Sequence, residues 1–235
     1  MLPSPNKIDV VISDVGGTIV GVKEYIKCGK EGLKTLLKGH NDTNIGKSKK
    51  IKKIGKAFVM YVRHGMYSTY ERVHNLVDLV EGLSVQFVER FGLMLANNIN
   101  EDILELFKYY RTPVSILSME EWRTVKPIFD VLDQHGLSVD KYIVNMFVVE
   151  NGIITNKLRS FSNVEGWDES IPLDTEEKKL HGFTSIVQSY GMNPYDPLDM
   201  SRILYVTDMD DKIESEIKNH IRKYNGNLVE VSGNY

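Results

Sequence analysis

Asp14 closes a run of β-branched residues, and Gly16, Gly17 and Thr18 follow it at once in the stretch IDVVISDVGGTIVG, residues Ile8 to Gly21. A carboxylate at the end of a strand has two chemical uses: it attacks an electrophile, or it holds a hard cation through oxygen. The glycines let the backbone turn sharply and approach a ligand closely. Thr18 adds a hydroxyl and an amide at the turn. An aspartate that only caps its own loop accounts for the same residues, and such short turn signals are common. A second strand-ending acid shifts the balance. Asp208 ends ILYVTD, with Asp210 and Asp211 close behind. Two such carboxylates from distant parts of one sheet can converge on a Mg2+ ion that is also held by a carbonyl and waters and works on a phosphate. An acidic first helical turn explains Asp210 and Asp211 better than it explains Asp208. Ser118 ends a third run, PVSILS, where a hydroxyl and the amides of the next helix can bind a phosphate oxygen. SMEE also reads as a capping box with Ser118 as its N-cap, and the two roles are compatible. Lys178 and Lys179 open the helix before the Asp208 strand. One of them is placed to neutralise charge beside two carboxylates and a phosphate; the other reads as a solvated helix start.

These residues need a sheet to bring them together. Runs at 9–13, 113–118, 142–150, 202–208 and 227–233 are short, β-branched and bounded by polar or turn residues, which predicts five strands. Those ending at Asp14, Ser118 and Asp208 are nearly continuous apolar stretches, as expected of parallel strands covered on both faces. Helical periods lie between them. MEEWRTVKPIFDVLDQHG sets Trp122, Ile128, Phe129 and Leu132 near one face and stops at Gly136, with Pro127 as a candidate kink. Asn151-Gly152, between two β-branched runs, predicts a hairpin. Residues 22–110 show no convincing strand and read as several helices. The expected organisation is an α/β core from residues 1–20 and 111–235, with a helical insertion at 21–110.

Composition bounds the rest. At 235 residues, 42% hydrophobic and 26% charged, the chain is ordinary for a globular protein. A net charge of −3 gives no electrostatic case for nucleic acid or a membrane surface. The single cysteine, Cys28, forms no internal disulfide. MLPSPNK has no apolar core of a signal peptide, and no apolar run reaches the length of a span, so a cytoplasmic protein is expected, as monomer or homodimer.

Taken in order, Asp14-Val15-Gly16-Gly17-Thr18, Ser118, Lys179 (or Lys178) and Asp208 resemble the four motifs of the haloacid dehalogenase (HAD) superfamily of phosphohydrolases. That family opens on Asp-x-Asp-Gly-Thr and carries a strand-ending Ser or Thr, a lysine and a strand-ending acid. The insertion resembles its mobile cap, and VNMFVVENGIITNKL resembles the hairpin of its phosphoserine-phosphatase-like branch. The resemblance implies a Rossmann-like α/β core, with a mainly parallel sheet between helices, plus an inserted α-helical cap. It implies a Mg2+-dependent phosphohydrolase acting on a small phosphorylated metabolite. Asp14 would be the nucleophile and become an aspartyl phosphate. Mg2+ would sit on Asp14, the backbone carbonyl of Gly16 and Asp208. Ser118, Lys179, Gly17 and Thr18 would hold the phosphoryl group, and the cap would exclude water.

Two positions depart from that pattern. The family's second acid in the first motif, which protonates the leaving group and later activates water, is Gly16 here. A backbone carbonyl survives for the metal; a general acid–base contribution of typically 10²–10⁴ in rate does not. The position four after Asp208 is Lys212, with Asp211 a candidate stand-in one residue early, and Thr207 replaces the usual glycine. Three readings follow: a working phosphatase, impaired or atypical; a catalytically weak or inactive relative that binds a phosphorylated ligand or a protein partner; and an enzyme resembling phosphonoacetaldehyde hydrolases, which lack the second acid and use a cap lysine. The insertion holds the lysine run Lys47, Lys49, Lys50, Lys52, Lys53 and Lys56, which reads first as a solvated helix face. His64 and His74 read first as structural.

Overall fold

The computed structural model describes residues 2–37, 52–53, 69–208 and 214–231. Of the residues singled out above, Lys47, Lys49, Lys50, Lys56, His64, Asp210, Asp211 and Lys212 lie outside the described residues.

Along the chain come β1 (Val10–Ser13), the two-residue strands β2 (Gly16–Gly17) and β3 (Val20–Gly21), α1 (Val22–Leu37), α2 (Thr69–Val80), α3 (Val85–Ala96) and α4 (Glu101–Tyr110). They are followed by β4 (Val114–Glu121), α5 (Trp122–Gln134), β5 (Val139–Glu150), β6 (Ile153–Ser162), α6 (Glu176–Ser189), α7 (Pro197–Met200), β7 (Ile203–Asp208), α8 (Ser215–Lys223) and β8 (Asn227–Val231). Six strands form one sheet in the order β6-β5-β4-β1-β7-β8. Every pairing in it is parallel except β5 with β6.

The apolar strand runs are continuous because both faces are covered. Alternate residues go to opposite sides. Val11, Ile116 and Val206 join a layer with Phe107 of α4 and Val125 and Ile128 of α5. Val10, Ile12, Leu117 and Tyr205 join the opposite layer with Phe183 of α6 and Ile217 of α8. Strand β1 lies between β4 and β7, so the residue after it, Asp14, emerges in the middle of the sheet's C-terminal edge.

Within the insertion, Leu95 of α3 and Ile103, Leu104 and Phe107 of α4 belong to the first of these layers. Val77 and Val80 of α2 pack instead with Phe147 and Ile154 of the β5–β6 hairpin. That hairpin turns at Asn151 and Gly152, with φ of +51° and +77°, the left-handed pair that a tight primed turn requires.

Pro127 does not split α5, which runs unbroken from Trp122 to Gln134. A proline there removes the amide that would bond the carbonyl of Arg123. The α3 backbone fills the neighbouring space: a Cβ on Gly92 would come within 2.6 Å of the Arg123 carbonyl oxygen and 2.7 Å of the Thr124 Cα. The absence of a side chain at Gly92 therefore sets how closely α3 can approach α5. Among the described residues, no helix is long and apolar enough to cross a membrane.

Gly92→Ala is expected to destabilise the fold by about 1–3 kcal/mol through overpacking against backbone that cannot yield. Urea unfolding monitored by circular dichroism measures this; a midpoint equal to wild type would contradict the close packing.

Candidate active site

The site begins where β1 ends. The Asp14 amide bonds the Val206 carbonyl at 3.1 Å, tying it to β7, and its side chain is almost fully buried. The chain then turns: the Thr18 and Val20 amides both reach back to the Val15 carbonyl, at 3.3 and 3.1 Å. Gly17 sits in this turn at φ +81°, which disfavours any side chain. Space forbids one as well. A Cβ there would land on Oδ2 of Asp208 and 3.0 Å from its carboxyl carbon. The Asp208 carboxylate therefore lies directly on the glycine turn. Thr18 is fully buried beneath the turn; its amide is used by Val15, and its hydroxyl has no hydrogen-bond partner among the described residues.

Lys179, not Lys178, points into the site. Thr175 caps α6 by accepting the Lys178 amide at 3.2 Å. From the first turn of that helix the Lys179 ammonium reaches Oδ1 of Asp14 at 3.3 Å, with the residue only 1% exposed. Lys178 turns aside and bonds Asp174 at 2.6 Å. On its other side the Lys179 ammonium donates to Glu214, which is wholly buried. Glu214 also accepts from the Tyr205 hydroxyl at 2.7 Å and from the Thr207 hydroxyl. Tyr205 and Thr207 are two apart on β7 and so face the same side. This gives Thr207 a function that a glycine in its place lacks.

Ser118 is buried at the end of the region where β4 pairs regularly with β5. Its hydroxyl accepts the Glu120 amide at 3.3 Å, which leaves its own proton to donate. The expected capping box does not form. The strand continues through an irregularity between Ser118 and Glu121, and Glu121 caps α5 by accepting the Arg123 amide at 2.6 Å. An irregularity of this kind at a strand end re-aims side chains. Burial pushes the Glu121 carboxyl up in pKa, against the opposing pull of Arg123 beside it.

The residues present fit a divalent cation. Asp14 and Glu214 flank the buried Lys179 ammonium, Asp208 lies on the glycine turn, and hard oxygen ligands beside such a turn suit Mg2+. Among the described residues no cluster of three or more His, Cys, Asp or Glu side chains is arranged to hold an ion. The residues that would hold such an ion are Asp14 and Asp208, with the Gly16 carbonyl. Asp211 lies outside the described residues. So does most of the lysine run; Lys53, which is described, donates to the Asp78 carbonyl at 2.6 Å.

Sequence reasoning missed Glu214, six residues beyond Asp208, and the pairing of His74 with Asp174 at 3.1 Å, two residues a hundred positions apart. No local signal marks either. Glu214→Ala is expected to cost about 3–5 kcal/mol, because it leaves the buried ammonium short of a partner. Denaturant unfolding checks this; a loss no larger than that of an exposed Glu→Ala control would overturn the assignment.

No family model and no curated protein sequence matches the chain. Solved structures do. A phospho-aspartyl intermediate analogue of phosphoserine phosphatase shares 14% identity at a TM-score of 0.53, with 95% of this chain and 94% of that one covered. A substrate-bound phosphoserine phosphatase shares 14% at a TM-score of 0.54, covering 95% and 93%. A phosphoserine phosphohydrolase-like protein from Francisella tularensis subsp. tularensis SCHU S4 shares 14% at 0.56, covering 90% and 82%. With its mainly parallel sheet, the chain has the fold seen in these phosphoserine phosphatase structures.

Proposed function

We propose that the protein is a Mg2+-dependent phosphohydrolase acting on a small phosphorylated metabolite through an aspartyl phosphate on Asp14. The observation that carries this reading is the buried Lys179 ammonium held between Asp14 and Glu214 at the sheet's C-terminal edge, with Asp208 on the adjoining glycine turn. Open α/β sheets bind ligands at that edge. The fold supports the reading as well, since one of its neighbours was captured as a phospho-aspartyl intermediate analogue.

In this reading an oxygen of Asp14 attacks phosphorus, and the ester oxygen leaves. Lys179 offsets the charge gathered around the phosphoryl oxygens, and the Ser118 hydroxyl donates to one of them. Glu214 keeps the ammonium in place. Mg2+, held by Asp14, Asp208 and the Gly16 carbonyl, would neutralise charge on the phosphate. Water then attacks the aspartyl phosphate and frees Asp14. The insertion at 21–110 serves as the cap that shields this site; of its described parts, α1 follows directly on the glycine turn and α2 packs on the β5–β6 hairpin.

Gly16 favours a second reading, a binding protein on the same fold that turns over slowly or not at all, because no side chain there can carry a proton. Purified protein with MgCl2 is expected to hydrolyse p-nitrophenyl phosphate and acetyl phosphate, to lose activity to EDTA and to fall to background as Asp14→Asn. If wild type is no faster than Asp14→Asn and only Gly16→Asp turns over, the binding-protein reading replaces the enzyme.

A further inference from the structure

Resting on the phosphohydrolase reading, we propose that His74, paired with Asp174, carries the proton that an acid at position 16 would otherwise carry. His74 projects from α2 with Nε2 3.1 Å from Oδ2 of Asp174. The imidazole side chain is 40% exposed, whereas that of Asp174 is 5% exposed. Lys178 bonds the other Asp174 oxygen at 2.6 Å. The carboxylate on one ring nitrogen fixes the orientation of the imidazole, and the rest of the ring stays open for exchange. The Tyr70 ring lies 4.0 Å from the His74 ring, centroid to centroid.

The pair is held at the catalytic edge. Asn145 accepts the Leu173 amide at 2.7 Å and donates to the Leu173 carbonyl at 2.9 Å and the Met119 carbonyl at 2.8 Å. Asn145 thereby ties Leu173, the residue before Asp174, to Met119, the residue after Ser118. Asp174 also stands just ahead of α6, the helix that delivers Lys179 to Asp14. The other described histidines are elsewhere. His135 ends α5, His181 is exposed against Trp167, and His220 bonds the Pro194 carbonyl at 2.8 Å.

The protons balance. As the Asp14–phosphorus bond forms and the ester bond breaks, the His74 imidazolium gives its proton to the leaving oxygen. The neutral imidazole next takes a proton from the water that attacks phosphorus. Asp14 and inorganic phosphate are released, and the imidazolium is restored.

The test compares two leaving groups on the full chain with MgCl2: p-nitrophenolate, which departs without a proton, and the alkoxide of glycerol 2-phosphate, which needs one. His74→Gln is expected to lower kcat/KM by about 10²-fold or more on glycerol 2-phosphate and by less than about tenfold on p-nitrophenyl phosphate. Asp174→Asn should shift the ratio in the same direction by a smaller factor. Both rates come from one preparation, so a loss of folded protein cancels in the ratio. An unchanged ratio in His74→Gln, with Asp14→Asn inactive, overturns the role of His74 and leaves the phosphohydrolase reading standing. A wild type active on p-nitrophenyl phosphate but not on glycerol 2-phosphate also overturns it. A wild type inactive on both overturns both readings.

Discussion

The rest of the site depends on the burial of one ammonium. Taking an ion out of water costs several kcal/mol even after the surroundings relax, and only well-placed opposite charge and hydrogen bonds offset that cost. Lys179 is 1% exposed, and its partners come from the end of β1 and from the segment just before α8. Its own position is set by α6, which Thr175 caps and which packs closely on β4: a Cβ on Gly182 would come within 2.8 Å of Leu117 Cδ1. Three segments far apart in sequence thus converge on one charge. The Tyr205 and Thr207 hydroxyls complete the shell around Glu214.

The strand ends were legible in the sequence for a physical reason. A parallel strand buried on both faces is an unbroken apolar run, so the first polar residue after it marks the sheet's edge. Asp14, Ser118 and Asp208 are found that way. The choice between Lys178 and Lys179 was not open to such reasoning, because neighbours on a helix point about 100° apart and the sequence carries no phase for α6. Glu214 was hidden because its role comes from where the chain returns after β7, which no period encodes. His74 was hidden because its partner lies on the far side of the sheet-forming sequence. The mistaken cap at Ser118 has a similar origin. SMEE satisfies the local pattern, but pairing with β5 carries β4 on to Glu121, and the cap moves with it.

The insertion was legible as helical but not in how its helices divide. Helices α3 and α4 pack into the layer that covers the sheet, and Gly92 sets the approach of α3 to α5. Helix α2 packs on the hairpin beyond β5. The His74–Asp174 contact ties α2 to the segment that precedes α6, on the opposite side of the sheet from α3 and α4.

Counting carboxylates changes the meaning of Gly16. An acid there would stand in a site where Asp14 and Glu214 already share one buried ammonium and Asp208 lies on the glycine turn, and like charges at short range resist ionisation together. The acid that the chain does place beside Lys179 is Glu214, and it cannot do the same work. It is wholly buried, with the ammonium and two hydroxyls on its oxygens, which leaves it no open face toward a substrate. Glu214 supplies charge balance alone. Proton transfer needs a group that is partly exposed and oriented by something buried, and the His74–Asp174 pair has that division of burial. In the proposed mechanism the tasks that one aspartate could combine are separate: a backbone carbonyl at Gly16 would face the metal, a buried acid, Glu214, holds the lysine, and a side chain from the insertion would carry the proton.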